Sequence, residues 1–94
     1  MVKHIVMYTL KEGCEIDEVV EIVRSSLEPL VGKIPGLIQM QIRRTYQGDF
    51  DYVLYSVFET AEAVTAYRAH ALHKAAKKNF AHFLKTRVSA DFEV

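Results

Sequence analysis

Residues 51–59 read DYVLYSVFE, and this stretch is apolar on both sides. As a strand it places Tyr52, Leu54 and Phe58 on one face and Val53, Tyr55 and Val57 on the other. A strand with one solvated face alternates apolar with polar residues; this one needs cover on both faces. Upstream, Gln47-Gly48-Asp49 forms a hairpin loop, and residues 37–46 (LIQMQIRRTY) set Ile38, Met40 and Ile42 against Gln39, Gln41 and Arg43. Downstream, Thr60 with Glu62 in the next turn predicts a helix start, and a helical stretch runs through Val64 and Tyr67 towards His70. A second pattern of Leu72, Ala75, Ala76, Phe80, Phe83 and Leu84 predicts further helix.

The two ends of the chain are strands. Residues 2–10 (VKHIVMYTL) carry Val2, His4, Val6, Tyr8 and Leu10 on one face and Lys3, Ile5, Met7 and Thr9 on the other. Residues 86–94 alternate with Val88, Ala90, Phe92 and Val94 on one face. Between the first two strands the spacing of Ile16, Val19, Val20, Val23, Leu27, Leu30 and Val31 predicts a helix over 16–31, stopped by Gly32 and turned by Pro35-Gly36. The order is β-α-β-β-α-β. Its simplest arrangement is one antiparallel four-stranded sheet with both helices on one face, the ferredoxin-like α+β fold with right-handed crossovers.

Two helices cover one face of a sheet. The first and third strands are apolar on both, and soluble monomers seldom expose a contiguous apolar patch. The same surface of a second copy is the simplest cover, so a homodimer formed through the sheets is expected.

Composition narrows the function. The 94 residues, 1–94, make a single domain. Twelve Lys and Arg balance twelve Asp and Glu. That argues against a nucleic-acid module and against charge-driven binding to an anionic membrane. The first apolar run is too short and too mixed for a signal peptide or membrane span. A single cysteine, Cys14, forms no internal disulfide, and a cytoplasmic location is expected. HExxH, CxxC, GxSxG and Gly-rich phosphate loops are all missing, so no organic cofactor is expected.

Four histidines remain: His4, His70, His73 and His82. His4, mid-strand among apolar neighbours, reads either as a buried neutral imidazole satisfied by a hydrogen bond or as a titratable group facing a cavity. The stretch from Tyr67 to His73 gathers a phenol and two imidazoles beside an apolar stripe. It reads as a general acid/base pair or as a core tyrosine with surface histidines. His70 and His73 lack the third and fourth ligands of a zinc site, and Asp49 and Asp51 read as turn formers, so no metal is expected. His82 and Lys77-Lys78 read as a solvated helix face. On an uninterrupted helix Tyr67 and His73 would be splayed by roughly 120°. They converge only if the helix breaks near His70-Ala71.

Four segments resemble one family, the stress-responsive A/B barrel domains of the dimeric α+β barrel class (Dabb). They are Val2-Lys3-His4-Ile5-Val6, Lys33-Ile34-Pro35-Gly36, Phe58-Glu59-Thr60 leading through Tyr67 to His70-Ala71-Leu72-His73, and Asp91-Phe92-Glu93-Val94. The resemblance spans nearly the whole chain. It implies a ferredoxin-like monomer whose sheet packs on a second copy to form a barrel. A plant branch of the family includes polyketide cyclases, which close a linear poly-β-keto chain by aldol chemistry without a cofactor. Their pocket between helices and sheet implies catalytic roles here for Tyr67, His73 and His4 on a small, largely apolar molecule. The chain departs twice from that pattern: Ala71 stands where the motif has proline, and Tyr52 where the cyclases have histidine. Two other readings stay open. One is a non-enzymatic stress-associated interaction protein with no substrate. The other is a relative of the monooxygenase-type barrels that act on polycyclic phenols, although nothing here selects haem or quinone chemistry.

Overall fold

The structure, a computed structural model, describes all residues from Met1 to Val94. Strands β1 (Val2–Leu10), β2 (Leu37–Arg44), β3 (Tyr52–Phe58) and β4 (Leu84–Glu93) form one sheet in the order β2-β3-β1-β4, every neighbouring pair antiparallel. Helix α1 (Ile16–Leu27) follows β1, and α2 (Ala61–Ala69) with α3 (Ala71–Lys77) follow β3. This is the ferredoxin-like α+β fold. No helix is long and apolar enough to cross a membrane.

The core lies between the helices and one sheet face. Val6 from β1, Tyr52, Leu54 and Phe58 from β3, and Met40 and Ile42 from β2 pack there against Val23 and Leu27 of α1. Three of the expectations need correction. The register of β2 on β3 shifts between Leu37 and Gln39, so a bulge turns Ile38 out to solvent and Leu37 enters the core in its place. The first helix ends at Leu27 rather than at residue 31. Pro29 lacks a backbone N–H and its ring crowds the preceding turn, so the chain tightens into a 3-10 turn over Glu28–Leu30 and Val31 is left exposed. The expected second helical run is also shorter. It stops at Lys77, Ala81–Phe83 is a 3-10 turn, Leu84 opens β4, and Leu72 is exposed.

Pro35 and Gly36 turn the chain into β2, with Gly36 at φ +82°. A Cβ there would sit 2.6 Å from Ala63 Cβ, so this glycine is what lets α2 lie against the turn.

The outward sheet face is continuous. Ile5 lies between Tyr55 and Ala90, Met7 between Val53 and Val88, and Lys3 between Val57 and Phe92. Met7, Val88 and Phe92 are 37%, 44% and 48% exposed. The helices do not cover β4, every residue of which from Lys85 to Glu93 is exposed. Its helix-side face is polar, carrying Arg87, Ser89 and Asp91 opposite Tyr8, Val6 and His4.

Candidate functional site

Helices α2 and α3 meet at His70, whose backbone is extended (ψ 138°) rather than helical. No proline imposes the break. Instead the His70 ring caps α3: its Nδ1 accepts a hydrogen bond from the Leu72 N–H at 3.1 Å. In a continuous helix that N–H would bond to the Arg68 carbonyl. The freed carbonyl accepts a hydrogen bond from Nδ1 of His73 at 3.3 Å. A carbonyl only accepts, so His73 carries its proton on Nδ1 and presents an Nε2 lone pair.

The break brings Tyr67 and His73 together. Their ring centroids are 4.2 Å apart, and Phe58 meets Tyr67 in an edge-on arrangement at 5.2 Å. Tyr67 is 2% exposed, and its hydroxyl has no hydrogen-bond partner. Leaving such a group unmatched costs about 1–3 kcal/mol. Burial pushes the Tyr67 phenol well above its ordinary range. Burial lowers His73, against a partial rise from the Arg68 carbonyl, with Lys77 and Arg87 adding positive charge that lowers it further.

His4 stands on the inward face of β1, directly across from Asp91 of β4. Its Nδ1 donates to Asp91 Oδ1, while Asp91 Oδ2 accepts from Arg68 Nη2 at 3.2 Å. The carboxylate thus ties β1, β4 and α2 together and leaves Nε2 of His4 as the free ring nitrogen. Desolvation acts to raise the Asp91 carboxyl, but His4 and Arg68 together outweigh it and hold it below its ordinary value.

His4, Tyr67 and His73 line one cavity between the helices and the sheet, about 70 Å³ in volume. Leu27, Leu54 and Phe80 supply part of its apolar wall. Its mouth carries Arg68, Lys77 and Arg87. All three residues expected to act together therefore border the same space. Sequence reasoning did not find their supports. Asp91 is recognisable only once the register of β1 on β4 is known, and Lys77, read as solvated helix face, flanks the opening. Asp51 is a structural group: its carboxylate accepts from the Leu10 N–H at 2.8 Å. Tyr52, at the position where the cyclases have histidine, is wholly buried, stacks on Tyr8 at 4.6 Å and is not part of the cavity wall.

Fold and site define a ferredoxin-like α+β domain with an imidazole–phenol cavity under the sheet. Over residues 2–94 the sequence matches the stress responsive A/B barrel domain, and the chain belongs to that family. Among curated proteins none matches it by sequence. Among solved structures it is similar to a dimeric protein of unknown function with a ferredoxin-like fold from Bacteroides fragilis: 28% identity, TM-score 0.88, covering 99% of this chain and 95% of that one. A protein from Arabidopsis thaliana is similar at 22% identity and TM-score 0.84, over 100% and 95% of the two chains. A Nitrosomonas europaea protein, provisionally designated an antibiotic biosynthesis monooxygenase, is similar at 17% identity and TM-score 0.79, over 97% and 86%. The last two likenesses carry the fold alone.

Proposed function

We propose that this protein binds a small, largely apolar molecule in the cavity between helices and sheet and moves a proton on it, in the manner of a cofactor-independent cyclase. The observation that carries this reading is the pairing of Tyr67 with His73. A buried hydroxyl without a partner adjoins an imidazole whose Nδ1 is engaged, on a cavity that His4 also lines. Burial keeps His73 neutral near pH 7, the form a base requires.

An aldol closure fits these groups. His73 Nε2 takes a proton from a carbon between two carbonyls. The released electron pair forms the new carbon–carbon bond to a distal carbonyl carbon. The oxygen of that carbonyl, as it gains charge, accepts a hydrogen bond from Tyr67 and then the proton that His73 removed, which returns the imidazole to its neutral form. Asp91 holds His4 in orientation as a second acceptor.

The cavity is roughly half the ~150 Å³ that accommodates benzene in an engineered apolar site. A larger molecule enters only if the long side chains at the mouth swing outward. That small volume favours the second reading, a non-enzymatic interaction protein. A linear poly-β-keto thioester tests the choice. The wild-type protein should speed its closure, and His73→Ala should abolish the acceleration while the thermal midpoint stays within a few degrees. Absence of acceleration in the wild type supports the non-enzymatic reading, and a large loss of stability in His73→Ala makes that residue structural.

The outward face supports a homodimer formed through the sheets. Its apolar residues are contiguous across β3, β1 and β4, and the Bacteroides fragilis protein of the same fold is dimeric.

A further inference from the structure

The geometry points to a small organic carboxylate as the molecule the cavity takes, its charged end between the Tyr67 hydroxyl and the Arg87 guanidinium. This rests on the reading of the cavity as a binding pocket and adds the charge of the ligand to it.

The chain as a whole is neutral, with twelve basic and twelve acidic side chains. The cavity is not. Arg68 of α2, Lys77 of α3 and Arg87 of β4 converge on it from three separate elements, and no Asp or Glu lines it. Asp91 is the nearest acid in the local network, and both its oxygens are already taken, by His4 and Arg68. Arg87 and Lys77 form no ion pair. All three are exposed, so solvent screens them, yet together they set the sign of the field at the mouth and of what is drawn in.

Inside that cationic mouth lies the unmatched Tyr67 hydroxyl, a hydrogen-bond donor almost wholly buried. Arg87 stands directly across from Tyr8 in the pairing of β1 with β4, and both line the cavity that Tyr67 borders. A phenol and a planar guanidinium together suit the two oxygens of a carboxylate. The wall behind them is Leu27, Leu54 and Phe80, which suits an apolar body. Phosphate would leave that wall bare. A neutral ligand would leave Arg87 and Lys77 without a counter-charge.

Titrating the full chain with benzoate, benzamide and inorganic phosphate, followed by backbone amide resonances, tests this. Benzoate should move the amides around His4, Tyr67, His73 and Arg87 saturably. Benzamide, its neutral isostere, should bind at least tenfold more weakly, and phosphate more weakly still, a tenfold step being the size of one good charge-assisted hydrogen bond. Arg87→Gln, at an exposed position, should reduce benzoate to the benzamide level with an unchanged thermal midpoint. Tyr67→Phe removes a hydroxyl that bonds to nothing in the protein and should also weaken benzoate. Equal binding of benzoate and benzamide overturns the carboxylate assignment and leaves the apolar pocket standing. Phosphate binding as tightly as benzoate overturns it in favour of an inorganic anion. An Arg87→Gln protein that still prefers benzoate over benzamide overturns the role of Arg87. The smaller pair propionate and propionamide, closer to the 70 Å³ of the cavity, is titrated alongside, and if none of the four organic compounds shifts these amides the pocket reading fails as well.

Discussion

The ring of His73 rests 4.2 Å from that of Tyr67, centroid to centroid, across a break that no proline makes. His70 makes it, by capping α3 with its own imidazole. The cavity wall therefore depends on a side chain that does not line it.

His70→Ala should lower stability by about 1 kcal/mol, the usual cost of losing a helix cap. Alanine also favours continuous helix. The Leu72 N–H is then free to return to the Arg68 carbonyl, and His73 loses its anchor. Cross-relaxation between the Tyr67 and His73 rings should weaken in the variant, and thermal unfolding gives the stability change.

Gly36→Ala should cost about 1–3 kcal/mol, because it places a Cβ against Ala63 at a positive φ. Urea unfolding measures the loss. Adding Ala63→Gly relieves the collision but not the backbone strain, so the double variant should recover only part of the stability.

Stability should fall in two steps on acidification. The His73 value is lowered from 6.5 by burial, so below pH 6.5 the unfolded chain takes up a proton that the folded chain resists. Stability is thus lost from pH 6.5 downward until the folded value is passed. Asp91 is lowered from 3.8, so what it adds is fully present above pH 3.8 and disappears as pH falls through its folded value. Its side chain is 37% exposed, so solvent screening keeps that step near 1 kcal/mol or less. His73→Phe should flatten the upper step and Asp91→Asn the lower one in urea midpoints measured against pH.

Met7→Glu or Val88→Glu should dissociate the proposed sheet-to-sheet dimer. Both lie in adjacent positions on the outward face, where a carboxylate would be buried against its own copy without a partner. Sedimentation at micromolar concentration should give a dimer for the wild type and a monomer for either variant. A wild-type monomer would remove the case for sheet-to-sheet assembly.

The sequence carried the element order well, because β2 and β4 alternate, β1 and β3 are runs of β-branched and aromatic residues closed by turn residues, and α1 has its own apolar stripe. The boundary errors had local causes. Pro29 shortened α1, and the bulge at Ile38 exchanged one apolar residue for its neighbour. Alternation alone leaves a bulge unseen, since Leu37 and Ile38 are equally apolar. The cavity was legible in its three named residues and illegible in its charges. Arg68, Lys77 and Arg87 sit on three elements, and only the tertiary arrangement brings them to one mouth. Asp91 meets His4 through strand register, which periodicity does not fix.

His4 and Asp91 are 87 positions apart along the chain. Joining them closes a loop of nearly the whole polypeptide, and the neighbouring Lys3–Phe92, Val2–Glu93 and Met1–Val94 pairings of the same two strands close loops longer still. Contacts of such long range form late compared with helices, which assemble from neighbours in sequence. The half-built protein thus has its helices before it has a cavity. In a refolding experiment helical circular dichroism should return first, and any signal from a molecule held beside His4 should lag behind it. Occupancy of the cavity would then report that the first and last strands have zipped.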